Sequence, residues 1–140
     1  MELLSDILGS VPSLTVDALE RQLRTEDVSN YIIFLLRIIT SGEVKQNADF
    51  FAPFILGLVD MTVDEFCAKC IDPMGEESDH VVLVALTNAL RVPMRVVYVD
   101  GREGRGDLDV KDFVPDGCSS ADIHVHLLFR PGHYDILYMQ

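Results

Sequence analysis

Apolar positions recur at helical spacing over the first two-thirds of this chain and alternate or cluster in short runs over the last third. That pattern predicts helices followed by a small sheet, an α+β layer arrangement. "SLTVDALERQLR" sets Leu14, Ala18, Leu19, Gln22 and Leu23 near helical spacing, with Asp17 early and Arg24 late as a helix dipole prefers. "EDVSNYIIFLLRIITSG" reads as a buried helix that includes Arg37 and stops at Gly42. "MTVDEFCAKC" holds a capping box, Thr62 with Glu65 three residues on, so a helix begins there. "GEESDHVVLVALTNALRVP" offers Ser78 or Asp79 as N-cap and Pro93 as terminator. Further on, "MRVVYVD" is β-branched and aromatic and is followed by the glycine-rich charged loop "DGREGRGDLD". "DIHVHLLF" and "HYDILYM", joined by "RPG", predict an antiparallel hairpin with a tight turn. The sheet is expected to be antiparallel.

A length of 140 residues predicts a single domain. The longest apolar runs, at 31–36 and 81–86, are too short to span a bilayer. Glu2 and Asp6 stand where a secretory signal needs positive charge. A net charge of -12 argues against nucleic acid and anionic membranes as partners, because phosphate contacts cannot be built from such a surface. Three cysteines, an odd number, fit a reducing cytoplasmic or nuclear compartment without a disulfide framework. Nothing in the pattern asks for a cofactor.

Three constellations carry candidate chemistry. "CAKC" at 67–70 is a C-x-x-C, but zinc needs four ligands and no second pair has recognisable spacing, so core packing explains Cys67 and Cys70 better. "HVH" places His124 and His126 on one strand face with Asp122; the alternation with Ile123, Val125 and Leu127 is explained more simply by a solvated strand face, and no metal is expected. "GHYD" sets His133 and Asp135 on one face of a strand with Tyr134 opposite, the relation by which a carboxylate fixes the tautomer of a general base. An edge strand with a surface histidine is the commoner outcome of such a pattern. Cys118, in "PDGCSS", has neither a helix N-terminus nor a cationic neighbour in sequence to activate it.

Four stretches taken in order shift that balance: "TSGEVKQNADFFAPFI", "VDEFCAKCIDPMGEESDHVVLVALTNAL", "VPMRVVYVD" and "LLFRPGHYDILY". They resemble the carboxyl-terminal part of the otubains, cysteine-type deubiquitinases of the ovarian-tumour superfamily with a papain-like fold. The resemblance runs from about Val28 to the end, with residues 1–27 read as a less constrained helical arm. It implies a triad in which His133 is the general base and Asp135 the orienting third member, with polyubiquitin as substrate. It also implies that Asp79, His80, Phe50, Phe51 and Phe54 lie towards a bound ubiquitin. The family's nucleophile sits in a "D-G-N-C-F" segment that does not occur in these 140 residues, and no cysteine present aligns with it. The amino-terminal part of the fold is thus expected to be missing, the chain close to inactive alone, and apolar surface left for a partner to cover. A non-catalytic ubiquitin-binding or partner-binding module is the alternative.

Overall fold

A computed structural model describes residue 9 and residues 11–99 and 109–138. Most of the loop "DGREGRGDLD" lies outside the described residues, as does residue 139 at the end of the hairpin. Among the described residues five α-helices precede a four-stranded sheet: α1 (Val16–Leu23), α2 (Glu26–Gln46), α3 (Ala48–Val59), α4 (Val63–Phe66) and α5 (His80–Leu90), the last of which packs on the sheet. The strands are β1 (Met94–Tyr98), β2 (Asp109–Phe113), β3 (Val125–Arg130) and β4 (His133–Ile136), in the order β2-β1-β3-β4. The α+β expectation holds. Among the described residues no helix is long and apolar enough to cross a membrane.

Helix starts follow the expected chemistry. Thr15 caps α1 through Ala18 N at 3.3 Å, and Thr62 and Glu65 satisfy each other's backbone N–H groups in a complete capping box. Asp79 caps α5, its carboxylate accepting from Val82 N at 3.0 Å. Asp79→Ala should therefore destabilise the chain by about 1 kcal/mol in urea unfolding. An unchanged midpoint would mean the cap contributes nothing. Past Phe66, the segment Cys67–Ile71 widens into a π-helical turn, so the C-x-x-C lies at the end of a helix.

α5 is the centre of the molecule. Val81, Val82 and Ala85 face a core made with Val44, Phe51, Ile55, Phe66, Cys67 and Ile71 from the other helices. Leu83 faces a second core with Met94, Val96 and Phe113 of the sheet. A helix packed on two sides must be apolar on two sides, which is why its sequence shows so little polar face. Thr87, buried with it, returns its hydroxyl to the Leu83 carbonyl at 2.9 Å.

Two expectations about α2 need correction. The helix does not stop at Gly42 but runs to Gln46, because Val44 beyond the glycine is fully buried in the helical core. Nor is the helix buried as a whole: Tyr31, Phe34 and Ile38 are 55%, 51% and 51% exposed, since nothing in the described chain packs on that side. Arg37 instead ties α2 to the segment after the π turn, donating to the Ile71 carbonyl at 2.7 Å and to that of Glu76.

The sheet is mixed, not antiparallel. β1 pairs antiparallel with β2 and parallel with β3, and only β3–β4 is the expected hairpin. The cause is β2, which the sequence pattern hides because "DVKDF" is a charged edge strand whose only buried residue is Phe113. β2 returns the chain to the end of the sheet where Met94 begins β1, and residues 114–124 join Phe113 to Val125 at that same end. β3 therefore starts beside Met94 and must run parallel to β1. The crossing segment is tied to the end of α5 by Arg91, which donates to the Asp116 carbonyl at 2.9 Å.

Candidate active site

The β3–β4 hairpin turns on Pro131 and Gly132, and Gly132 has φ +79, the conformation a glycine supplies at the third position of a type II turn. This turn sets the register that pairs Arg130 with His133 and Leu128 with Asp135. Directly paired residues share a sheet face, so Arg130, His133, Leu128 and Asp135 all lie on the side away from α5. Tyr134 points the other way, against Phe129 with ring centroids 4.8 Å apart, and its hydroxyl donates to the Ser78 carbonyl at 2.8 Å. Burial and neighbouring Tyr98, Glu77 and Asp79 push that phenol up to about 12, so it stays neutral and anchors the hairpin to the start of α5.

His133 Nε2 lies 2.9 Å from Asp135 Oδ1, the same-face pairing expected from the i, i+2 spacing. Asp135 Oδ2 accepts from the Arg130 guanidinium at 2.7 Å. Arg130 escaped the sequence reading; the signal was the turn, since a two-residue connection places the residue before it diagonal to Asp135. The hydrogen bonds from His133 and then Arg130 hold the Asp135 carboxyl below the usual aspartate range. A lowered native pKa means the arrangement is complete above the ordinary carboxylate range and is lost as pH falls through the lowered value. Arg130→Ala should raise the Asp135 pKa part of the way back, and His133→Ala further, as read by carbon-13 NMR of the carboxyl. No movement in either variant would mean the contacts are absent in solution.

The three cysteines do not meet this pair. Cys67 is fully buried in the helical core with its sulfur 3.9 Å from the Ser41 carbonyl, and burial pushes its thiol pKa up. Cys70 is likewise pushed up by burial, and then by Asp79 and Glu76. Cys118 lies 3.6 Å from the Arg91 carbonyl, at the far end of α5 from the Ser78 anchor. Among the described residues no group of three His, Cys, Asp and Glu side chains is placed to hold a metal ion. Asp122 is used in a capping box with Ser119, and His126 stands next to Arg95, whose guanidinium pairs with Asp112 at 2.6 Å.

The other nominated residues divide by location. Asp79 is the α5 cap, and His80 stacks on Phe113 at 4.9 Å, its pKa lowered by burial and by Lys111. Both line an open depression of about 660 Å³ with Tyr98, Lys111, Phe129 and Tyr134, on the face of the sheet opposite His133. Phe50 and Phe54 are each 54% exposed on α3, whereas Phe51 is 1% exposed and belongs to the core, where it offers no ring to a partner.

The fold is thus an α+β domain with a histidine–aspartate pair, braced by an arginine, on its edge hairpin. The chain belongs to the Peptidase C65 Otubain family, whose model matches residues 1–139 and so includes the first 27 residues. It is 45% identical over 148 residues to OVARIAN TUMOR DOMAIN-containing deubiquitinating enzyme 1 of Arabidopsis thaliana, a match covering 99% of this chain and 48% of that protein. It is 42% identical over 113 residues to ubiquitin thioesterase OTUB1 of Homo sapiens, covering 81% of this chain and 39% of the relative. The chain therefore spans about half the length of these relatives, or less. A solved ceOTUB1 complex with ubiquitin aldehyde and UBC13~Ub superposes with a TM-score of 0.86 at 31% identity, over 99% of this chain and 56% of that one.

Proposed function

We propose that this chain carries the base half of a ubiquitin-directed cysteine protease site of the otubain type. The observation that carries the reading is the 2.9 Å contact between His133 Nε2 and Asp135 Oδ1, with Arg130 on the other carboxylate oxygen. With Nε2–H donated to Asp135, Nδ1 is the ring nitrogen free to accept a proton. A thiol placed against it gives its proton to Nδ1 as sulfur attacks the carbonyl carbon of a ubiquitin C-terminal amide. The imidazolium, stabilised by Asp135, then protonates the leaving amine, and water hydrolyses the thioester. The thiol comes from a segment of the family's "D-G-N-C-F" type, because Cys67 lies in the helical core, Cys70 packs against that core, and Cys118 sits by Arg91 at the far end of α5 from the hairpin. Support for ubiquitin as substrate is the naming of the Arabidopsis and human relatives as a deubiquitinating enzyme and a ubiquitin thioesterase.

The test is to join the chain behind the amino-terminal part of the Arabidopsis relative that precedes the match, and to follow release of a fluorophore from the ubiquitin C-terminus. Turnover by the fusion, against background from the chain alone, is expected. A folded fusion without turnover would remove the catalytic reading and leave a ubiquitin-binding module, to be sought by titrating labelled ubiquitin.

A further inference from the structure

His133 and Asp135 lie on β4, the outermost strand of the sheet, which pairs with β3 alone. Their side chains are 59% and 45% exposed, and Ile136 is more exposed still. The contacts of Asp135 with His133 and Arg130 stay within the hairpin, so they fix these side chains to one another and not to the rest of the chain. Tyr134 differs. Among the described residues its hydroxyl makes the one side-chain hydrogen bond that links β4 to an element outside the hairpin, at 2.8 Å to the Ser78 carbonyl, 56 residues earlier. Ser78 is itself held. It lies in the stretch 72–79, which has no helix or strand of its own and joins the π turn to α5. Arg37 on α2 donates to the Ile71 and Glu76 carbonyls at one end, and the Asp79 carboxylate accepts from Val82 N at the other. A carbonyl between two such clamps is a fixed point on the helical body, and a strand tied to it takes its position from there. Ring packing does not replace this bond. Tyr134 packs on Phe129, but both belong to the hairpin, and the contact of Phe129 with Tyr98, at 5.2 Å, crosses to β1 without reaching α5.

We propose that Tyr134 is a positioning residue for the base: its hydrogen bond to Ser78 sets the tilt of the hairpin against α5, and so the place where His133 Nδ1 meets the attacking thiol. It rests on the reading of His133 as the general base and extends it from the pair to what aims the pair. The two tasks are separable. Asp135 selects the tautomer and supports the imidazolium, whereas Tyr134, on the opposite face of the strand, touches no reacting atom. Proton transfer between thiol and imidazole needs hydrogen-bond reach, and a base displaced by about 1 Å loses up to about 10²-fold in rate. A solvent-exposed edge strand has little else to prevent such a displacement, which is why one hydroxyl carries this weight.

The test is Tyr134→Phe, which removes the hydroxyl, keeps the ring against Phe129 and should keep the circular dichroism of the parent. Residual dipolar couplings of the nitrogen-15-labelled 140-residue chain report the orientation of the hairpin relative to α5 without any need for activity. Hairpin and α5 should fit one alignment tensor in the parent and require separate ones in Tyr134→Phe. The Asp135 carboxyl pKa should stay in place, because His133 and Arg130 reach it from within the hairpin. In the fusion that carries the amino-terminal part of the Arabidopsis relative, Tyr134→Phe should lower kcat about tenfold with KM within about twofold. Tyr138→Phe, the same change at a residue 82% exposed just past the strand, should alter neither. Couplings unchanged in Tyr134→Phe, or turnover equal to that of the parent, overturn the proposal. So does a rise in KM with kcat unchanged, which would make Tyr134 a substrate contact. A parent fusion without turnover removes the catalytic reading by itself, and the couplings then decide whether Tyr134 aims the hairpin.

Discussion

His133→Ala in the fused, cysteine-bearing protein is expected to lower kcat on a ubiquitin substrate by about 10²–10⁴-fold with little change in KM, the loss typical of removing a positioned general base. The change leaves the core against α5 intact, because the His133 ring contacts Asp135 and extends from the opposite face of the sheet. Asp135→Ala should also lower kcat, through loss of the tautomer and of support for the imidazolium. Arg130→Ala should lose less, since Arg130 touches only the second oxygen of Asp135. Steady-state kinetics of the three variants decide the matter. Full activity in His133→Ala would show that another group takes the thiol proton, and the pair would then be only a surface contact of the hairpin.

Phe51→Ala is expected to destabilise the chain by about 3–5 kcal/mol, a large share of the 5–15 kcal/mol that holds a typical domain together. Phe51 is fully enclosed with Val44, Ile55 and Phe66, and removing its ring leaves a cavity between α3 and α5 that rigid neighbours close only in part. Phe50→Ala and Phe54→Ala should each stay within about 0.5 kcal/mol, since both rings are half in water. Urea unfolding of the three variants makes the comparison. Equal losses would mean that the exposed rings of α3 are covered in solution, by self-association or by a partner. Any ubiquitin contact made by this phenylalanine cluster has to come from Phe50 and Phe54.

Local chemistry was legible wherever it depends on residues close in sequence. The Thr62–Glu65 box, the tight Pro131–Gly132 turn and the side-by-side placement of His133 and Asp135 are all settled within a few residues, and each appears as read, while of Ser78 and Asp79 the structure takes Asp79 as the cap. Errors arose where a distant element decides. Gly42 looks like a helix stop, but burial of Val44 against α5 and the other helices carries α2 onward. The apolar run at 31–36 looks like core, but hydrophobicity does not reveal whether a covering element is present in the same chain. β2 has almost no hydrophobic signature because it is an edge strand held by its ladder to β1, and missing it made the sheet appear antiparallel.

By itself the sequence determined the Thr62–Glu65 capping box, the hairpin, the family and the side-by-side placement of His133 and Asp135, because spacing along a strand or helix dictates which neighbouring side chains share a face. Only the tertiary structure decided that β3 runs parallel to β1, that Arg130 braces Asp135, that Phe51 is enclosed while Phe50 is not, and that α2 leaves apolar side chains exposed. Those outcomes depend on which remote segments meet. Such meetings are set by how the two cores on either side of α5 fill and by the connection that brings Val125 back beside Met94, which no local pattern encodes.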